Sequence, residues 1–250
     1  MGRGNRGLRL ETAFGGIIPV SMDNILQTIA IWAIPVLFAI TLHEVSHGWV
    51  AKLLGDTTAQ MLGRLTVNPL KHIDPVGTVL VPLAIIFYSV LILGTQYPII
   101  FGWAKPVPVN SRNLRHPQRD MAIVAAAGPL ANLVMAMFWA LMIKLGFGLL
   151  GTFDWVAMPL IYMGMAGITI NIVLMVLNLL PVPPLDGGRV VSGFLPPRMS
   201  DAYDRIEPYG LFIILGLLAT GMLWAIIGPF FGFFVDLIRT MFTLPPEIFG

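Results

Sequence analysis

The chain has 250 residues, 56% of them hydrophobic and only 11% charged. A soluble domain carries about a quarter charged residues, so this apolar surplus cannot be hidden in one core and takes lipid as its solvent. The formal net charge of +2 is too small to suggest nucleic-acid binding, and the lack of cysteine excludes disulfides and thiolate metal ligands.

The basic start, with Arg3, Arg6 and Arg9, is followed by a short apolar stretch, Ala13–Val20, broken by Gly15, Gly16 and Pro19. It lacks a convincing cleavage site and reads as a tail, not a removed signal peptide. The first strong span is expected from Ile25 to Leu42, its helix continuing through His43–Leu54 to stop at Gly55. Residues 56–75 are more polar and carry the turn signals Asn68-Pro69 and Asp74-Pro75. Gly77–Phe101 is apolar but interrupted by Pro82, Gly94 and Pro98, and Lys105–Asp120 is the most charged segment. Met121–Lys144 and Val156–Leu180 read as spans, separated by a Pro-rich stretch, Pro181–Arg189, from a polar patch, Arg198–Glu207. Gly210–Ile227 is the last clear span, with Gly228–Ile238 as a second, short one. The expected fold class is an all-α polytopic membrane protein: a bundle of about five to six transmembrane helices, a re-entrant hairpin and a short β-strand segment. Residues 1–250 form one unit, its core at about 24–200, with no repeat, linker or soluble domain.

His43-Glu44-Val45-Ser46-His47 carries the chemistry. Two His four residues apart lie about 40° apart around a helix, so both imidazoles can reach one zinc ion, with Glu44 beside it to deprotonate a water. Three ionisable residues within an apolar helix are hard to explain as packing. A third ligand is needed. No Glu occurs between Glu44 and Glu207, and Leu53 stands where a third His of the same helix would fall. Asp186, followed by Gly187 and Gly188, is the leading candidate, since glycines allow close approach; its alternative is a cap on a helix beginning near Gly188. Asp74 and His72 are weaker rivals in a turn-rich segment.

Asn178-Leu-Leu-Pro181-Val-Pro183-Pro-Leu185-Asp186-Gly187 resembles the N-x-x-P-x-P-x-L-D-G motif of the site-2 protease family of intramembrane zinc metalloproteases. The H-E-x-x-H of that family lies in an earlier transmembrane helix, as His43–His47 do here, and Gly128-Pro129-Leu130-Ala131-Asn132 resembles its central core helix. The likeness covers about residues 24–200 and points to the short subgroup without a PDZ insertion or regulatory tail. It implies one zinc held by His43, His47 and Asp186, with Glu44 as general base and Asn178 contacting the substrate or the developing oxyanion. The implied activity is cleavage of a membrane-protein substrate in or beside its transmembrane helix, within a lipid bilayer. A metal transporter or a non-catalytic membrane adaptor are the alternatives.

For the first helix and the helix preceding Asp186 to meet at one ion, their C-terminal ends must share a membrane face. Met121–Lys144 then starts at that face, and the basic loop before it, Lys105–Arg119, places the face in the cytoplasm of a multi-pass cell-membrane protein. Gly77–Phe101 must then cross an even number of times, as a re-entrant hairpin bent near Gly94–Pro98. Arg64–Val67 is expected to offer an extended strand for a substrate to pair with.

Overall fold

The computed structural model describes residues 25–87, 102 and 105–249. The N-terminal tail and the bend expected near Gly94–Pro98 lie outside the described residues. Helix α1, Ile25–Leu53, has 29 residues, roughly 43 Å at 1.5 Å per residue and longer than a hydrocarbon layer. His43 lies about 27 Å along it, so the His-Glu-His turn falls in the C-terminal half of the helix. Gly55 ends the helix as expected. Its φ of +115° is open to glycine and strained for other residues.

The loops after α1 are stapled to its end by Asp56, which is 1% exposed. Its carboxylate accepts from the Asn110 N–H at 2.7 Å, the Asn113 amide at 2.9 Å and the Thr58 N–H at 3.0 Å. Burial would raise this carboxyl, but the converging donors outweigh it and hold it below the usual carboxylate range. A short helix α2, Thr58–Met61, leads to the turn Pro69–Lys71. A π-helical turn, Pro75–Leu80, capped by the Asp74 carboxylate, then runs into α3, Val81–Phe87. The strand expected at Arg64–Val67 does not form: among the described residues there is no strand at all. Two of its backbone groups bond locally instead, the Arg64 N–H to the Ala59 carbonyl and the Thr66 carbonyl to His72 Nε2.

Helix α4, Pro117–Leu149, opens on a proline whose missing N–H is no loss at a helix start, and the Asp120 carboxylate reaches back to the His116 N–H at 2.9 Å. Leu130, Val134, Phe138, Leu141 and Leu145 form an exposed stripe at helical spacing on α4, the face offered to lipid. Its inner face packs on α5, Asp154–Asn178. A Cβ on Gly167 would stand 2.2 Å from the Trp139 ring, and one on Gly164 would stand 2.4 Å from Ile143. Small residues are what allow such approach where lipid supplies no hydrophobic drive.

Helices α6 (Asp186–Phe194), α7 (Pro197–Asp204), α8 (Glu207–Ala219) and α9 (Met222–Met241) complete the chain. The seam between the last two is at Thr220-Gly221, not at Gly228 as the sequence suggests. Gly221, with φ +72°, supplies the reversal, whereas Gly228 sits inside α9. Four described helices, α1, α4, α5 and α9, are long and apolar enough to cross a membrane, and α8 is a shorter apolar helix. The core lies where α4 and α5 meet α8 and α9, around Ile143, Ile168, Ile172, Ile214, Ile227 and Ile238.

Candidate metal centre

His43 and His47 sit one turn apart on α1 and are both buried. The chain leaves α5, turns through Leu179–Leu185 and starts α6 at Asp186. That turn folds so tightly that a Cβ on Gly187 would lie 2.3 Å from the Leu179 carbonyl oxygen, and one on Gly188 would lie 2.5 Å from the Pro183 nitrogen. The two glycines therefore deliver the carboxylate, as their position beside it suggests. The capping alternative fails: the helix begins at Asp186 itself, and no side chain caps it.

The three side chains converge. His43 Nε2 lies 3.1 Å and His47 Nε2 3.3 Å from Asp186 Oδ2, and the two Nε2 atoms are 3.1 Å apart. Asp186 Oδ2 is buried yet has no partner in hydrogen-bond geometry. Ligands held at about 2.0–2.1 Å from a tetrahedral zinc stand about 3.3 Å from one another, so this triangle has the edge length of such a coordination shell. Burial alone would raise the Asp186 carboxyl, but the facing imidazoles hold it at about 2, an anion at neutral pH. These residues fit a divalent metal.

The surroundings set the rings. His47 Nδ1 donates to the Val124 carbonyl at 2.8 Å, and His43 Nδ1 lies 2.6 Å from Asn132 Oδ1. Gly128 of α4 floors the site: a Cβ there would stand 2.5 Å from His47 Nε2 and 2.6 Å from His43 Cε1. Val124 lies near the start of α4, so that helix begins at the metal end, as expected. Glu44 is half-buried, and one of its carboxylate oxygens accepts the Val107 N–H at 2.7 Å. Asn178 lies in the last turn of α5 outside this triad, its amide donating to the Leu174 carbonyl at 2.9 Å. His72 and Asp74 are placed elsewhere, one bonded to the Thr66 carbonyl, the other capping the Pro75 turn. A cavity of about 450 Å³ opens beside the Asp186 turn, lined by Gln118, Pro183, Pro184, Arg189, Ser192 and Asp204 among others; neither histidine nor Glu44 lines it.

Sequence reading does not assign the contacts of Asn132, Asn171 and the Val107 N–H. An Asn within each of two apolar spans is the signal that points to the first two, since polar groups at membrane depth are there for a partner.

Fold and site together define a polytopic helical membrane protein with a buried His-His-Asp cluster suited to a metal. The family model of peptidase family M50 matches residues 153–220, the segment holding Asn178 and Asp186. The chain is 35% identical over 218 residues to "Putative zinc metalloprotease YwhC" of Bacillus subtilis, covering 84% of this chain and 90% of that protein. It is 31% identical over 216 residues to the similarly named Rip2 of Mycolicibacterium smegmatis, covering 84% and 76%. Rip2 of Mycobacterium tuberculosis is 25% identical over 217 residues, covering 84% and 77%. No solved structure matches the chain. The chain belongs to peptidase family M50, the site-2 protease family, and is a protease.

Proposed function

We propose that the chain, as one membrane-embedded unit over residues 1–250, is a zinc endopeptidase that cuts a transmembrane segment of another membrane protein. The observation that carries this reading is the Asp186 oxygen, buried without a hydrogen-bonding partner while two imidazole nitrogens stand at 3.1 and 3.3 Å from it. His43, His47 and Asp186 would hold the ion, which when bound supplies a Lewis acid for the scissile carbonyl and lowers the pKa of water to about 7.

Glu44 follows His43 directly on α1, and the Val107 N–H steadies one of its oxygens. It takes a proton from the attacking water and returns it to the leaving amine. Asn178 stands eight residues before Asp186, at the end of α5, and offers an amide to the substrate or the developing oxyanion. To do so it must leave the Leu174 carbonyl it now serves. A helical substrate hides its carbonyls in its own hydrogen bonds, so it must unwind before attack. Exposed Arg112 and Arg115 lie in the loop that packs on the metal end of α1 through Asp56 and the Arg115 N–H, and exposed Arg119 follows in the first turn of α4. By the excess of basic residues in cytoplasmic loops, that end faces the cytoplasm of the cell membrane. A transporter would need a polar path, but Asn132 and Asn171, buried within the spans, are bonded to each other and to backbone carbonyls of α1 and α5.

The test is zinc content and cleavage of a transmembrane substrate in detergent, with Glu44→Gln beside the wild type. The variant is expected to keep one zinc and lose about 10²–10⁴ in turnover. A folded wild type without zinc, or a variant that still cuts, refutes the reading.

A further inference from the structure

The two imidazoles are held by unlike devices. The Val124 carbonyl can only accept, so its 2.8 Å contact makes His47 Nδ1 the donor and leaves Nε2 bare for a metal. His43 Nδ1 instead meets an amide, at 2.6 Å from Asn132 Oδ1. An amide presents an acceptor or a donor according to which way it is turned. Inverted, Asn132 would offer its NH2 to His43 Nδ1 and select the tautomer with the proton on Nε2. That proton would block the nitrogen that faces Asp186.

What prevents inversion lies further into the bundle. Asn132 Nδ2 is 3.2 Å from the Ala39 carbonyl oxygen and 2.9 Å from Asn171 Oδ1. Asn171 is itself oriented by its Nδ2, which donates to the Gly167 carbonyl at 2.8 Å. Both backbone carbonyls can only accept, so each fixes the amide that faces it. Both asparagines are 0% exposed, so bulk solvent does not reach an inverted amide. Inversion of Asn132 would set its oxygen against the Ala39 carbonyl and the Asn171 oxygen at once.

We infer that Asn132 and Asn171 are positioning residues, an orientation relay from α5 through α4 to α1 that keeps His43 in the tautomer able to bind a metal through Nε2. This rests on the zinc site proposed above. The rival account is that the pair only binds three helices together, which predicts changed stability and unchanged metal affinity.

Zinc affinity, measured by competition with a chromophoric chelator, separates the two in wild type, Asn171→Leu and Asn171→Asp. The leucine removes the oxygen that orients Asn132, whereas the aspartate still presents one to it. Loss of an outer partner of a metal-bound His weakens affinity about 10- to 100-fold, and that is expected for Asn171→Leu, with Asn171→Asp within about threefold of wild type. Equal affinity in wild type and Asn171→Leu, or equal loss in both variants, overturns the relay. A wild type that binds no zinc overturns the proposed function as well, so the two failures are distinguishable. Nitrogen NMR of zinc-loaded wild type labelled at histidine keeps the relay open to refutation even where Asn171→Leu does not fold. His43 bound through Nε2 with its proton on Nδ1 is expected; zinc on His43 Nδ1 overturns the relay.

Discussion

Gly128→Ala is the sharpest probe of the candidate centre, because it separates the site from the fold. The added Cβ would stand 2.5 Å from His47 Nε2 and 2.6 Å from both Cε1 atoms. Ordinary contact begins at about 3.5 Å, so each ring must retreat by about 0.9 Å or more. Metal bonds tolerate about 0.2 Å, so the displacement is several times what a coordination shell accepts. The neighbours offer no easy retreat: His47 is tied to the Val124 carbonyl and His43 to Asn132. The helix itself loses little. Alanine exceeds glycine in helix propensity by about 1 kcal/mol, which offsets part of an overpacking cost of about 1–3 kcal/mol. The expected result is a folded helical protein with a melting temperature close to wild type and zinc affinity lower by about 100-fold or more. Chelator competition read beside thermal unfolding in the same detergent checks it. Wild-type zinc affinity in a folded variant would refute the reasoning, since the triangle of ligands would then not lie against Gly128.

Asp56 gives a stability prediction with a sign. Its folded carboxyl lies below the unfolded value of about 3.9, so its stabilisation is complete above that pH and lost as pH falls through the lower folded value. Asp56→Asn is expected to be less stable by about 2 kcal/mol at pH 7, with the gap to wild type closing towards pH 3 in thermal melts. A constant gap across that range would count against the assignment. Asn178→Ala is expected to lower kcat about 100-fold with zinc content unchanged, as for loss of one oxyanion donor; an unaltered kcat removes Asn178 from the machinery. Val107→Pro deletes the N–H that steadies Glu44. It is expected to lower kcat about tenfold or more while zinc affinity holds, read from steady-state cleavage and chelator titration.

The sequence by itself determined the medium, the main spans and the chemistry that is local in the chain. Apolar runs long enough for a bilayer placed α1, α4 and α5 to within a few residues, because nothing but a helix satisfies its own backbone there. The spacing of His43, Glu44 and His47 spoke for itself, since residues four apart share a helix face whatever packs around them. Asp186 stood out because carboxylates at the edge of apolar spans are few and two glycines follow it. Elsewhere local pattern misled. The seam between the last two helices went to Gly228 because both Gly221 and Gly228 lie in one apolar run, and only the backbone turn at Gly221 tells them apart. Arg64–Val67 was expected as a strand for a substrate to pair with, and nothing in four residues announces that Ala59 and His72 will each take one of its backbone groups. The Asn132 contact with His43 spans 89 residues of chain, and the Asn171 contact with Asn132 spans 39. No periodicity reaches so far. Which amide turns toward which imidazole, and why Gly128 has no room for a methyl group, are settled only when three helices close on one another. Contacts of that kind depend on distances of a few ångströms between segments that the order of residues does not relate.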